Sequence, residues 1–169
     1  MNNRDGWTLC ADSALNFSAP ELHALNAIWK AKSVAANGLP AREDFDAPTL
    51  RPFLRHVSIV ERATHPAGHQ SFCYRFYGSA LTQRFGEQTG QFIEMSIPYD
   101  RIERWVRTYE TVLESGFPAR LLASFEIPRV SYLNGESFCA PLANGGRKPS
   151  ALLLCTYFTP RVELAAQSA

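Results

Sequence analysis

Two histidines and a cysteine have the spacing of a metal-binding set, His-x-x-x-His-x-x-x-Cys, formed by His65, His69 and Cys73. Imidazole and thiolate groups are common ligands of zinc. This spacing brings three side chains to one side only on a helix, and Pro66 and Gly68 between the histidines disfavour a helix. We therefore interpret the segment as the polar tip of a hairpin and predict no metal site there.

Acidic side chains are concentrated in the segment 40–52, PAREDFDAPTLRP, where Glu43, Asp44 and Asp46 could bind a cation. A calcium-binding loop needs a glycine at its centre, and this segment has none. Prolines and acids together are typical of a solvated connector. We predict a connector and no metal ligand.

Three glutamates, Glu94, Glu110 and Glu126, are candidates for acid–base chemistry. No nucleophile motif, metal-binding set or glycine-rich phosphate loop accompanies them in the sequence. We assign no catalytic residue, and a small enzyme remains the alternative to the leading interpretation given below.

The segment 72–90, FCYRFYGSALTQRFGEQTG, changes from a strand pattern to a helix pattern without a spacer. Phe72, Tyr74 and Phe76 occupy every second position, which predicts that they share one face of a strand. After a glycine the spacing becomes that of a short helix, with Ser79 as its capping residue.

A longer helix is predicted over 100–115, where Asp100 and Glu103 form a capping box. Aromatic side chains from the strand and both helices would meet between sheet and helices. They fill such a space poorly unless a ligand or tight interdigitation completes the packing, so the cavity is either a ligand site or filled by its own aromatic side chains. The predicted ligand-binding residues are Phe72, Tyr74, Phe76, Phe85, Trp105 and Tyr109.

Arg75 is the charged residue of the aromatic strand, and alternation predicts that it faces away from the aromatic side chains. A hairpin centred on Ala67 places Glu61 diagonally across from it on the same face. We predict an ion pair on the outer side of the sheet in preference to an anion-binding site.

The first helix is predicted to begin at Ser18, ahead of Pro20, and to end at Asn37. The last predicted strand, ALLLCTYFT at 151–159, is apolar on both faces, so a second layer must cover it, and the N-terminal helix is the candidate. Apolar surface left over on this helix predicts a homodimer. The predicted interface residues are Leu22, Leu25, Ile28 and Trp29.

The 169 residues, 46% hydrophobic with a formal net charge of +1, are typical of one ordinary globular domain. The near-neutral charge argues against a nucleic-acid partner. No apolar run is long enough for a signal peptide or a membrane span, which predicts a cytoplasmic protein without a membrane partner. Free thiols are predicted at Cys10, Cys73, Cys139 and Cys155.

The element order predicts one α+β domain over 18–160, between a mobile arm at 1–17 and a tail at 161–169. Its sheet is predicted to have five antiparallel strands, with helices on one face and the N-terminal helix on the other. The three late strands are placed at 121–127, 137–142 and 151–159.

This element order and four motifs, LNAIW, PAREDFD-P, YRFYGSALTQRFGEQTG and ESFCAPLANGG, resemble a family of stand-alone bacterial PAS-like proteins of largely unknown role. The resemblance implies a sheet with the hairpin at one edge and the last strand in the centre. It also implies a sensory or regulatory module that binds a small molecule or a signalling protein and passes its signal to another chain. The histidine and cysteine motifs of haem and flavin PAS sensors are missing, so neither bound haem nor covalent flavin is expected, and the identity of any cofactor is unknown.

Overall fold

The computed structural model describes residues 9–125, 133–143 and 148–160, which form an α+β fold around one antiparallel sheet. Six strands lie in these residues in the order β1-β4-β5-β6-β2-β3. They are β1 Leu9–Asp12, β2 Val57–Thr64, β3 Gln70–Tyr77, β4 Ala119–Phe125, β5 Leu133–Ala143 and β6 Pro149–Pro160.

The sheet has one strand more than the predicted five. Residues 9–12, placed by the sequence in a mobile arm, pair with β4 from Leu9 opposite Ala123 to Asp12 opposite Arg120. So short a strand carries little periodicity of its own, and it is stabilised by contacts with distant residues. Leu9 is buried, and its carbonyl accepts a hydrogen bond from Arg104 at 2.6 Å. Phe17, also in the predicted arm, is buried in the core. Residues 1–8 of the predicted arm, and the predicted tail, lie outside the described residues.

Helices cover both faces of this sheet. They are α1 Pro20–Ala36, α2 Ala47–Leu50, α3 Ser79–Phe85 and α4 Tyr99–Ser115, with 3-10 turns at Arg42–Asp44, Leu54–His56 and Ile93–Met95. We call the side of the sheet under α1 the α1 face and the side under α4 the α4 face. The predicted arrangement, with the N-terminal helix opposite the other long helix, is correct at this level.

The predicted side-chain caps of α1, α3 and α4 are wrong. The residues that cap these helices make no side-chain hydrogen bond, and Ser18, Ser79 and Asp100 are not among them. At α1 a distant residue takes this role, because the Glu136 carboxylate of β5 accepts the amide of Ser18 at 2.9 and 3.0 Å and that of Ala19 at 3.1 Å. A carboxylate is also favourable at the positive end of a helix. The local sequence cannot reveal such a long-range cap.

Two buried clusters fill the two faces. Alternation along β6 places Leu153 and Cys155 on the α1 face and Leu152 and Leu154 on the α4 face, as the sequence predicts. The α1-face cluster also contains Leu22, Leu25, Trp29, Phe138, Ala140 and Leu142, and the α4-face cluster contains Val60, Phe72, Tyr74, Tyr109, Val112 and Leu113.

The predicted dimer residues are therefore part of the chain's own core, which corrects that assignment. Leu22, Leu25 and Trp29 are 0%, 0% and 4% exposed, and Ile28 packs half-buried against the same cluster. Trp29 also donates its indole N–H to the carbonyl of Pro141 at 3.1 Å. The apolar side of α1 is narrower than the sequence suggests, and the sheet covers it.

A bulge interrupts the hairpin of β2 and β3. Val60 lies opposite Tyr74 and Ile59 lies opposite Phe76, so that Arg75 is an extra residue on β3 without a partner in the register. An extra residue reverses the alternation of the side chains that follow it.

The bulge moves Phe76 to the α1-face cluster and brings Tyr77 to the α4-face cluster. The prediction that Phe76 shares a face with Phe72 and Tyr74 is wrong for this reason. Strict alternation in the sequence gives no sign of the extra residue.

Arg75 forms the predicted ion pair. Its Nε lies 2.5 Å from Oε2 of Glu61, with the arginine side chain 44% exposed and the glutamate side chain 17% exposed. The hydrogen bond that Arg75 donates to Glu61 raises the pKa of the Arg75 guanidinium, which therefore stays charged.

Candidate functional site

A cavity of about 80 Å³, partly open to solvent, lies between the α4 face of the sheet and the helices α3 and α4. Four of the predicted ligand-binding residues line it: Tyr74, Phe85, Trp105 and Tyr109. The other described lining residues are Ser58, Tyr77, Leu81, Ser96, Ile97, Ser137, Leu154, Thr156 and Phe158.

Two predicted residues do not line the cavity. Phe72 is 0% exposed and packs edge-on against Tyr109, with ring centroids 5.2 Å apart. It belongs to the core beneath the cavity. Phe76 lies on the α1 face because of the bulge, and Tyr77 takes the position predicted for it.

The polar groups of the lining are hydroxyls, contributed by seven side chains, and the indole N–H of Trp105. None of the described lining residues is charged. Ser58, Ser137 and Thr156 were not predicted as site residues, because a single small polar residue in a strand carries no signal of a binding site. Their common face is visible once the strands are in register, since Ser137 lies opposite Thr156 and Ser58 lies opposite Leu154.

Aromatic rings define the walls of the cavity. Tyr74 and Tyr77 meet edge to face with centroids 5.0 Å apart, and Trp105 and Tyr109 do so at 5.7 Å. Phe85 and Phe158 lie 5.6 Å apart on another side. Edge-to-face pairs hold the rings in fixed relative orientations.

Burial sets the protonation of the three tyrosines. It raises the pKa of Tyr109 well above the usual value, with smaller contributions from the neighbouring phenols, and it raises that of Tyr77 in the same way. The pKa of Tyr74 is also raised by burial, partly offset by a hydrogen bond with Ser96. All three phenols are therefore neutral O–H groups at physiological pH.

Not all of these hydroxyls have a partner. Ser137 Oγ and Thr156 Oγ1 are 2.7 Å apart and satisfy one another. The hydroxyls of Tyr77 and Tyr109 make no hydrogen bond to any described residue. These two phenols, like the Ser58 hydroxyl, thus line a partly open space without a hydrogen-bond acceptor among the described residues.

The predicted metal candidates have other partners. His65 and His69 stack with ring centroids 4.6 Å apart, and His69 Nε2 contacts Glu94 Oε1 at 3.2 Å, while Cys73 is buried in β3. Within the described ranges no three His, Cys, Asp or Glu side chains are arranged to hold a metal ion.

Two acidic side chains of the connector accept hydrogen bonds from backbone amides. Asp44 accepts the amide of Ala41 at 2.8 Å, and Asp46 caps α2 through the amide of Thr49 at 2.9 Å, which lowers the pKa of Asp46. Glu43 lies in the first turn of its 3-10 helix.

The candidate acid–base residues do not converge. Glu94 is engaged by His69, Glu110 pairs with Arg62, and neither lines the cavity. Glu126 lies outside the described residues. The cavity therefore has hydroxyls for hydrogen bonding but, in its described lining, no carboxylate or imidazole for proton transfer.

All four cysteines are free thiols, with Cys10 exposed and Cys73, Cys139 and Cys155 buried. Burial raises the pKa of Cys155 to about 12 and also raises that of Cys139, so both are unreactive thiols.

Comparison with known proteins gives no family for this chain. No protein-family profile matches it, and no curated protein matches it in sequence. None of the helices in the described ranges has the length and apolar character needed to cross a bilayer. The function must be argued from the cavity.

Proposed function

We propose that this chain is a sensory or regulatory module of PAS-like architecture that binds a small molecule in the cavity on the α4 face. The observation that carries the proposal is the lining, in which apolar and aromatic walls surround a few hydroxyls. Small-molecule sites have this composition, with the polar groups fixing the orientation of the ligand.

The strand order supports the PAS-like part of the proposal. The hairpin of β2 and β3 lies at one edge and β6 lies between β5 and β2, as the resemblance implies. Strand β1 is an addition beside β4 at the opposite edge, and it leaves the order of the other five strands unchanged.

A route for a signal runs through β5. Ser137 lines the cavity, and its neighbour Glu136 accepts the amides of Ser18 and Ala19 just before α1. Glu136 also pairs with Arg120, whose Nε is 2.6 Å from the carboxylate. Suppose that β5 can adopt two placements relative to the helices. A ligand that binds one placement more tightly than the other would favour it and would thereby shift the packing of α1. The output would then pass to another chain through α1.

The cellular setting and the oligomer belong to the same proposal. We place the protein in the cytoplasm and retain a homodimer, formed through a surface other than the buried side of α1. Val34, 81% exposed on α1, is an apolar side chain available to a partner. Light scattering at tens of micromolar tests the dimer, and a monomer at that concentration would exclude it.

Native mass spectrometry of the purified chain tests the main proposal. We expect a retained small molecule, or one acquired from a metabolite library, and slower amide exchange at the start of α1 when it is bound. Trp105→Ala should abolish retention. The proposal fails if no compound binds, or if a bound compound leaves exchange in α1 unchanged.

The size of the cavity favours one competing function. Ligand sites usually have about 300–1,000 Å³, and this cavity has about 80 Å³. A scaffold whose core is filled by its own aromatic side chains would have such a space. Failure to bind any compound in the experiment above would favour this scaffold.

A further inference from the structure

We infer that the cavity takes an uncharged ligand of at most one ring that carries a hydrogen-bond acceptor, which is held by the hydroxyls of Tyr77 and Tyr109. This inference rests on the proposed function and specifies the ligand of the same site.

The ligand is uncharged because the described lining offers no counter-charge. Its polar groups are seven hydroxyls and the indole N–H of Trp105, all of them uncharged, and its other side chains are apolar. Moving an ion out of water without a charged partner is strongly unfavourable, and neutral hydroxyls compensate for only part of the lost hydration.

The ligand carries an acceptor because two phenol donors at the cavity have no partner within the described chain. Tyr109 is 2% exposed and its hydroxyl has no partner in the described chain. The hydroxyl of Tyr77, on a half-buried side chain, likewise has no partner there, whereas Ser137 and Thr156 satisfy one another and Tyr74 bonds with Ser96. Buried polar groups are almost always hydrogen-bonded, to protein, water or ligand.

Both phenols can donate at neutral pH, because a tyrosine stays protonated below its usual pKa of about 10, and burial raises the pKa of both further. A carbonyl or ether oxygen between them would accept from either hydroxyl. A water molecule in the empty cavity would make the same contacts, and the ligand oxygen would replace it.

The ligand is small because the space is small. The cavity of about 80 Å³ is smaller than an engineered cavity of about 150 Å³ that binds benzene. A single ring fits when Trp105, which is only half-buried at the edge of the cavity, moves outward. Larger ligands would require α4 to separate from the sheet.

Three probes with the same number of heavy atoms separate these properties. Cyclopentanone is neutral with one acceptor, methylcyclopentane is neutral without one, and cyclopropanecarboxylate is an anion at pH 7. Each is titrated into the full chain while the indole N–H of Trp105 is followed by NMR, after assignment of that signal with Trp105→Phe.

We expect cyclopentanone and methylcyclopentane to shift the Trp105 signal and cyclopropanecarboxylate to leave it unchanged at ten times the concentration. Tyr109→Phe and Tyr77→Phe should each weaken the binding of cyclopentanone by about two- to tenfold, the contribution of one hydrogen bond. Neither change should weaken the binding of methylcyclopentane. Tyr157→Phe, on the α1 face beside His56, is the matched control and should affect neither probe.

The outcomes distinguish this inference from the proposed function. If the tyrosine variants weaken both neutral probes equally, or if the anion binds as well as cyclopentanone, the inference is wrong while the small-molecule site remains. If no probe shifts the Trp105 signal, both the inference and the proposed function are wrong.

Discussion

The two faces of the sheet are built from the same strands but differ in chemistry. On the α1 face the strands present Phe138, Leu142 and Leu153, each 0% exposed, and Trp29 closes the layer. On the α4 face, beyond its apolar core, neighbouring positions present Ser137 and other hydroxyl side chains around a cavity. Alternate residues along β5 and β6 thus belong to a filled core on one face and to a cavity lining on the other.

The difference between the two faces predicts which substitutions this chain tolerates without unfolding. Apolar side chains in a filled layer contribute most of the burial free energy. Hydroxyls beside a cavity contribute little and need partners of their own. Substitutions at equivalent positions on the two faces should therefore have unequal effects on stability, and only those on the α4 face should affect a ligand.

The two tryptophans test this contrast with the largest effect. Trp29→Ala should lower the free energy of unfolding by about 3–5 kcal/mol, because it empties a filled core and removes a hydrogen bond to Pro141. Trp105→Ala, at a half-buried residue of the cavity, should cost less than about 2 kcal/mol. Urea denaturation measures both, and equal losses would show that the two faces are packed alike.

Two adjacent leucines of β6 provide a closer comparison. Leu153→Ala leaves a new cavity in the α1-face cluster and should cost about 3–5 kcal/mol. Leu154→Ala only enlarges an existing cavity on the α4 face, and should cost at least about 1 kcal/mol less. The same denaturation experiment decides the point, and a larger loss for Leu154→Ala would contradict it.

Much of the fold could be predicted because long elements carry their own periodicity. The hairpin, the two long helices and the two-sided last strand were all predicted from spacing and turn residues. Elements stabilised by distant partners were not, as β1 and the Glu136 cap of α1 show. The pair Asn134-Gly135 is typical of a turn, but it lies within β5 opposite Thr159 and Phe158 of β6.

The candidate site was predicted in part for the same reason. Tyr74, Phe85, Trp105 and Tyr109 follow from aromatic residues on predicted elements. Tyr77 lines the cavity in place of the predicted Phe76 because β3 contains one extra residue. The position of that residue is set by the pairing of β3 with β2. The small hydroxyl residues become visible as a set only when β2, β5 and β6 are in register.

The buried tyrosines predict a loss of stability at alkaline pH. Burial raises the pKa of Tyr109 well above its value of about 10 in the unfolded chain. Its contribution is therefore fully present below about pH 10 and is lost above it, because only the unfolded chain releases the proton. Each such group contributes at most about 1.4 kcal/mol per pH unit.

Tyr109→Phe should accordingly make the decline between about pH 9 and pH 11 shallower by up to that amount. Chemical denaturation across this range provides the measurement. Tyr99→Phe, at a side chain 95% exposed, is the matched control and should leave the slope unchanged. An unchanged slope for Tyr109→Phe would show that its phenol is not shielded from solvent.

The smallest effect is expected at Arg75, the extra residue of the bulge at which the side chains of β3 exchange faces. Arg75→Met keeps the chain length, so Phe76 and Tyr77 should stay on their faces, and only the half-exposed ion pair with Glu61 is lost. Exposed pairs contribute about 0.2–1 kcal/mol, less at high salt. We therefore expect the free energy of unfolding to fall by an amount within that range in low salt. The fall should be smaller in 1 M salt, where the Debye length is about 3 Å. A loss of several kcal/mol would mean that the guanidinium, and not the pairing with β2, holds the bulge and the face exchange that it produces.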